Sequence, residues 1–257
     1  MQNCGIGWQN VLLPAALSGN GVSGLPVTNL QNQQGAASLA WRVAAGGTGW
    51  SADVKAALGS VQSIRAISLH RTNLTTAATW RIQIWNGTAV TLDWHASTNV
   101  QNGQCVQILS TPVLGDSLEI TVWDASNPDG FISIPLAYAG PLWQPVRNYS
   151  SESTESLTVG QQSTTTLSGG EFVDARYVQR GLSIAHQSYG DADAVVLRQI
   201  QRVAATGQNI LFVPDPSVSA PALARTALFG RLSGGDLSNP FGPADRHSQT
   251  LTLTERL

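Results

Sequence analysis

The strongest constraint on the fold is a series of short alternating apolar runs separated by turn clusters. RAISLHRTNL (65–74) and TWRIQIWNG (79–87) place Ile67 with Leu69, and Ile82 with Ile84, on one face of an extended chain. CVQILS (105–110), SLEITVWDA (117–125) and FISIPLAYAG (131–140) follow at short spacing, with NGT, QNGQ and NPDG between the runs. Turn signals every ~8–12 residues predict an all-β sandwich or barrel, with DVKAALG (53–59) the only helical turn in this part.

A change of chemistry marks the end of that part. All eight tryptophans, at positions 8, 41, 50, 80, 85, 94, 123 and 143, precede residue 145, and both cysteines, Cys4 and Cys105, fall there too. Two domains with different cores are expected, residues 1–145 and 146–257, with the boundary near Pro145-Val146-Arg147-Asn148. SNPDGFISIPLAYAGPLWQP (126–145) then reads as a proline-glycine turn, a last strand and an exit. Pro135 within that strand favours an edge or terminal position.

The second part opens on a Ser/Thr-rich stretch, 148–170, readable as a flexible linker or as a two-stranded ribbon. GLSIAHQS (181–188) predicts a strand. DADAVVLRQIQRVAATG (191–207) predicts one helix over 191–206, with a Val196, Ile200, Val203 stripe and Leu197 and Ala204 beside it. Asp191 and Asp193 suit its start, Arg198 and Arg202 its later turns, and Gly207 its stop. NILFVPDP (209–216), TALFGRLS (226–233) and HSQTLTLTERL (247–257) complete the strands. The fold class is therefore mainly β: an N-terminal β-sandwich followed by a β domain carrying one α-helix.

Composition narrows function. Only 12% of residues are charged and the net charge is −2, so no basic field exists to hold nucleic acid or an anionic membrane. No apolar run approaches the ~20 residues of a membrane span, and the first residues lack a basic leader, so synthesis in the cytoplasm is expected. One lysine, Lys55, stands against thirteen arginines. Arginine is enriched and lysine depleted at protein interfaces, although coding bias gives the same imbalance.

The chemistry of catalysis is sparse. His70, His95, His186 and His247 are scattered with no HExxH or CxxC pattern, and no GxSxG elbow occurs. Asp116, Glu119, Asp124 and Asp129 cluster in sequence but also suit strand ends and turns, with calcium an option at Asp129. GTGW (47–50) and SGGD (233–236) are glycine turns without a phosphate-loop signature. No enzyme activity, cofactor or metal site is expected. Cys4 and Cys105, 101 positions apart, are read as free thiols in a reducing compartment, with a disulfide between them the alternative that spacing does not decide. For carbohydrate, Trp50, His70, Arg71, Asn73 and Trp94 are the candidate contacts, because sugar faces stack on aromatic rings and sugar hydroxyls bond polar edges. The opposing reading makes Trp80, Trp85 and Trp123 core residues, with Trp50 and Trp94 capping the sandwich or meeting another subunit.

Three segments carry a family resemblance: LPVTNLQNQQGAASLAWRV (25–43), SIRAISLHRTNLTTAATWRIQIW (63–85) and the 126–145 stretch. They resemble virion proteins of tailed bacteriophages in which a galactose-binding-like (discoidin-type) jelly roll precedes a tail-associated β domain. RGLSIAHQSYGDADAVVLRQIQRVAATGQNILFVPDP and the strands after it are similar to ring-forming tail and baseplate proteins, including distal tail proteins, though with the domain order reversed. The resemblance implies a non-enzymatic structural subunit in the virion tail. Its partners would be copies of itself in a ring homo-oligomer, other tail or baseplate proteins, and a host surface glycan. The 148–170 stretch would be an arm ordered against a neighbour.

Overall fold

The computed structural model describes residues 2–46, 50–235, 237–238 and 246–257. Its strands are β1 (Gly5–Gly7), β2 (Ala16–Gly19), β3 (Trp41–Ala44), β4 (Ala52–His70), β5 (Thr79–Asn86), β6 (Ala89–Ser97), β7 (Cys105–Trp123), β8 (Phe131–Ile134), β9 (Leu136–Gly140), β10 (Thr154–Thr165) and β11 (Glu171–Tyr189). Helix α1 (Asp191–Ala205), β12 (Asn209–Val213), helix α2 (Ala220–Thr226), β13 (Leu228–Gly234) and β14 (His247–Glu255) follow. The chain is mainly β. The glycine turns expected at 47–50 and 233–236 lie partly outside the described residues.

Contacts divide the chain into two compact units. The first is Met1–Gln144 with Leu211–Ala227, and the second is Pro145–Ile210 with Leu228–Leu257. The first therefore contains a segment from late in the sequence.

In the first unit a curled sheet has the order β2-β4-β7-β5-β6, and β9 also pairs with β4. A second layer is the antiparallel pair β3–β8, Trp41 opposite Ile134 and Val43 opposite Ile132. Cross-strand register builds the core: Trp80 faces Val122, Ile82 faces Ile120 and Ile84 faces Leu118. These side chains share one apolar cluster with Trp41, Val43, Ile132 and Ile134, so the two layers close on each other as a sandwich. Each such buried side chain stabilises the unit by roughly 1.5–3 kcal/mol.

Several sequence expectations shift here. DVKAALG is not a helical turn but the start of β4, where Val54, Ala56 and Leu58 are buried and Asp53, Lys55 and Ala57 are not. Period-two burial between β2 and β7 outweighs the helix preference of alanine. CVQILS and SLEITVWDA are one long strand, β7. FISIPLAYAG is two strands that separate at Pro135, because β8 pairs with β3 and β9 with β4. Trp80 is buried, whereas Trp85 and Trp123 are half-buried on the opposite side of the sheet, alternate positions from the core residues.

In the second unit β13, β14, β11 and β10 form an antiparallel series. Helix α1 spans the residues expected of it. Its buried stripe is Ala194, Leu197, Ile200 and Ala204, with Val196 and Val203 half-buried at its margin, so the apolar face is turned from the one expected. Gly207, at φ 89°, takes the left-handed turn that ends the helix region. The second helix, α2, was not expected. Its signal is Pro221 just after the start, a position where a missing N–H costs nothing. It belongs to the first unit, so among the described residues the second carries one α-helix.

Candidate functional site

Two places are built to do more than fill a core. One is the loop set of the sandwich. The other is the β10–β11 ribbon.

The loop set is organised by the SNPDG turn. The Gly130 N–H donates to the Asn127 carbonyl at 3.2 Å, closing the turn, and Gly130 sits at φ 69°. Asn73 binds this turn from the loop after β4. Its Nδ2 donates to Asp129 Oδ2 at 2.8 Å and to the Phe131 carbonyl at 2.9 Å, while its Oδ1 accepts the Ser133 N–H at 2.8 Å. Asp124, itself buried, accepts from the Thr75 N–H at 2.8 Å, the Thr75 hydroxyl at 2.7 Å and Asn127 Nδ2 at 3.1 Å. Asp116 accepts the Gly87 N–H at 3.0 Å. Asp116 and Asp124 thus hold separate pieces of backbone, and Asp129 is held by the Asn73 side chain. Among the described residues no three His, Cys, Asp or Glu side chains converge on a metal position.

The five candidate carbohydrate contacts have unequal places. His70 is 3% exposed, with Nδ1 3.0 Å from Gln104 Oε1 and Nε2 2.8 Å from the Ser68 hydroxyl, so it faces the interior. Asn73 is spent on the turn network. Arg71 is exposed, adopts a left-handed φ of 59°, and donates to the Gly35 carbonyl at 2.9 Å. Trp94 is half-buried, in edge contact with Trp80 at 5.8 Å between centroids. Trp50 is half-buried against the same core. On the outer face of the sheet, His95 and Trp123 form a T-shaped pair at 5.5 Å, and Arg81 holds Asp93 through 2.8 and 2.5 Å contacts. That guanidinium holds the Asp93 carboxyl below its usual range.

Beside the start of α1 lies an open cleft of about 520 Å³, lined by Val146, Arg147, Ser188, Gly190, Asp193 and Arg246 among others. Asp193 accepts the Val146 N–H at 3.1 Å, and Arg147 donates to the Ser188 hydroxyl at 2.8 Å. Among the described residues the serine hydroxyl accepts from a cation and meets no base, the arrangement of an unactivated hydroxyl.

The ribbon is the other candidate. β14 pairs with β11 only from Gly181 onward, while β10 pairs with β11 over its whole length. Residues 157–165 and 171–180 are therefore two strands deep. Register assigns their faces. One face carries Leu157, Val159, Val173 and Val178, exposed to 63, 43, 56 and 52%. The other carries Phe172 and Tyr177, 69 and 47% exposed, with Tyr177 lying over Gly160. An extra residue at the register shift near Gly160 adds Arg176 to that second face, where it donates to Gln162 Oε1 at 2.8 Å. The Ser/Thr-rich stretch is a ribbon, and in the sequence its polar neighbours dilute the alternation of its apolar residues.

No protein-family model matches the chain, and no curated protein matches its sequence. Solved structures similar to it include a fucose-binding module of Streptococcus pneumoniae, at 9% identity and TM-score 0.41, over 52% of this chain and 98% of that one. Another is chitosan-binding module 1 from a Paenibacillus sp. IK-5 chitosanase/glucanase, at 16% identity and TM-score 0.40, over 51% and 96%. A third is the family 32 carbohydrate-binding module of Streptococcus pneumoniae EndoD, at 11% identity and TM-score 0.40, over 51% and 98%. These are small carbohydrate-binding modules, and each aligns with about half of this chain. The comparisons add nothing on a virion role.

Proposed function

We propose that the protein is a non-enzymatic structural subunit that assembles with copies of itself, and that its setting is the baseplate or tail tip of a tailed bacteriophage or prophage. The observation that carries the reading is the ribbon. An isolated two-stranded hairpin is marginal in water, and this one exposes large apolar side chains on both faces. Such a ribbon gains stability by being covered. The bonded state of Ser188 and the backbone roles of Asp116, Asp124 and Asn73 favour a scaffold over a catalyst. The tail setting and the ring come from the sequence resemblance, and virion localisation goes with them. Light scattering across a concentration series tests assembly, and mass spectrometry of virions from the strain carrying the gene tests the setting. A monomer at every concentration, absent from virions, would sink the proposal.

A second reading has the sandwich bind a host-surface glycan. Half-exposed Trp50 and Trp94 with exposed Arg71 favour it, and the reading rests on those side chains alone. Glycan-array or cell-wall binding that disappears in Trp50→Ala or Trp94→Ala supports it; uniformly blank arrays reject it.

A further inference from the structure

The two faces of the ribbon are unlike, and this has consequences for how copies meet. The first face is aliphatic, with Leu157 and Val159 on β10 beside Val173 and Val178 on β11. The second is aromatic, with Tyr177 lying over Gly160 and Phe172 opposite Thr164, and it also carries Arg176 bonded to Gln162. A two-fold contact uses the same patch on both copies. Pairing aliphatic face with aliphatic face would leave Phe172 and Tyr177 in water, and pairing the aromatic faces would leave Val159, Val173 and Val178 there.

Area points the same way. Nine residues of strand at ~3.3 Å each and two strands at ~4.8 Å spacing give a face of about 300 Å². Covering it once removes about 600 Å² in total from the two copies, roughly half of what a specific interface needs. When every ribbon is covered on both faces by different copies, taking one copy out breaks two such contacts, about 1,200 Å². That reaches the range of stable association.

Resting on the assembly reading above, we infer that the ribbon is the ring-forming element, with the aliphatic face of one copy seated on the aromatic face of the next. The contact is head-to-tail, and head-to-tail contacts close into rings when the rotation permits. The occupant of each face is therefore a second copy of this chain. The aromatic side chains enter the shallow aliphatic surface, where ring area is buried at low cost in side-chain entropy.

The test is complementation between face variants. Val159→Glu spoils the aliphatic face and Phe172→Glu the aromatic one, both at exposed positions; Val178→Glu and Tyr177→Glu replace them should either fail to fold. Wild-type protein is expected to show a mass above one chain that rises with concentration, and each variant alone to be monomeric. An equimolar mixture has one face contact of about 600 Å² available to each pair, so it is expected to show weak heterodimers only at the top of the concentration series and nothing larger, because one copy keeps an aliphatic face and the other an aromatic face. A Phe172→Glu protein that still dimerises, a mixture that grows beyond dimers, or variants that assemble like the wild type would overturn the ribbon inference while leaving assembly itself standing. A wild type that is monomeric throughout overturns both.

Discussion

His70 Nδ1 lies 3.0 Å from Gln104 Oε1, across 34 positions of sequence. The contact fixes the proton arrangement. Gln104 Nε2 donates to the carbonyls of Ala224 and of Ala227, the latter at 2.9 Å, so its Oε1 is the acceptor and His70 Nδ1 carries the hydrogen. His70 Nε2 then accepts from Ser68. This chain of bonds satisfies carbonyls at the end of α2 and ties the late segment to the sandwich.

Replacing Gln104 by Ala removes the donor to the Ala224 and Ala227 carbonyls and the acceptor of the His70 N–H. A loss of about 2–4 kcal/mol is expected, read from urea unfolding. A change below about 0.5 kcal/mol would show that water takes over these bonds. His70→Ala is expected to act on stability in the same way and to leave any glycan affinity unchanged.

Asp124→Ala removes the acceptor shared by Thr75 and Asn127. A cost of about 2–3 kcal/mol is expected, with Asp124→Asn recovering part of it by keeping one acceptor oxygen. If the turn were catalytic rather than structural, both variants would unfold like the wild type.

His186 gives a pH dependence. It is 1% exposed and lies over Tyr189 at 4.7 Å between ring centroids. Burial lowers its pKa to about 4, against 6.5 for the ordinary side chain. Between those values the unfolded chain holds a proton that the folded chain does not, so stability is full above pH 6.5 and falls as pH drops towards 4. The loss is about 3 kcal/mol at completion. Unfolding free energy measured at pH 7 and pH 4.5 should show most of it, and His186→Phe should flatten the profile in this window. An unchanged slope in that variant would move the effect to another group.

Cys4 and Cys105 are buried thiols that form no disulfide. Burial pushes the Cys105 thiol up to about 12, far from the thiolate form that reacts. Native protein at pH 8 should therefore give no fast reaction with a disulfide reagent, and both thiols should react once the chain is denatured. Rapid modification in the native state would show that the sandwich opens.

Helix α1 buries Leu197 and Ile200 completely. Leu197→Ala or Ile200→Ala is expected to cost about 2–5 kcal/mol, whereas Val195→Ala, at 55% exposure, should leave the melting temperature nearly unchanged. Equal effects at all three positions would contradict the observed face.

Much of the fold is legible in local pattern. Trp80, Ile82 and Ile84 alternate in sequence and alternate into the core. Asn127 to Gly130 has turn chemistry and makes the turn. The site was less legible. His70, Arg71 and Asn73 read as one polar group, yet the first is buried, the second reaches Gly35 and the third serves the Asp129 turn. Nothing in a run of residues states which partner a polar side chain will meet.

By itself the sequence determined the strand period, the turn positions, the extent of α1 and the change of core chemistry near residue 145, because steric and hydrophobic preferences act over a few neighbours. Tertiary structure alone decided that DVKAALG is a strand, that 211–227 belongs with the sandwich, and that β10 and β11 run beyond β14 with both faces bare. Those outcomes depend on pairings between distant segments, whose gain in buried area and backbone hydrogen bonds outweighs local preference.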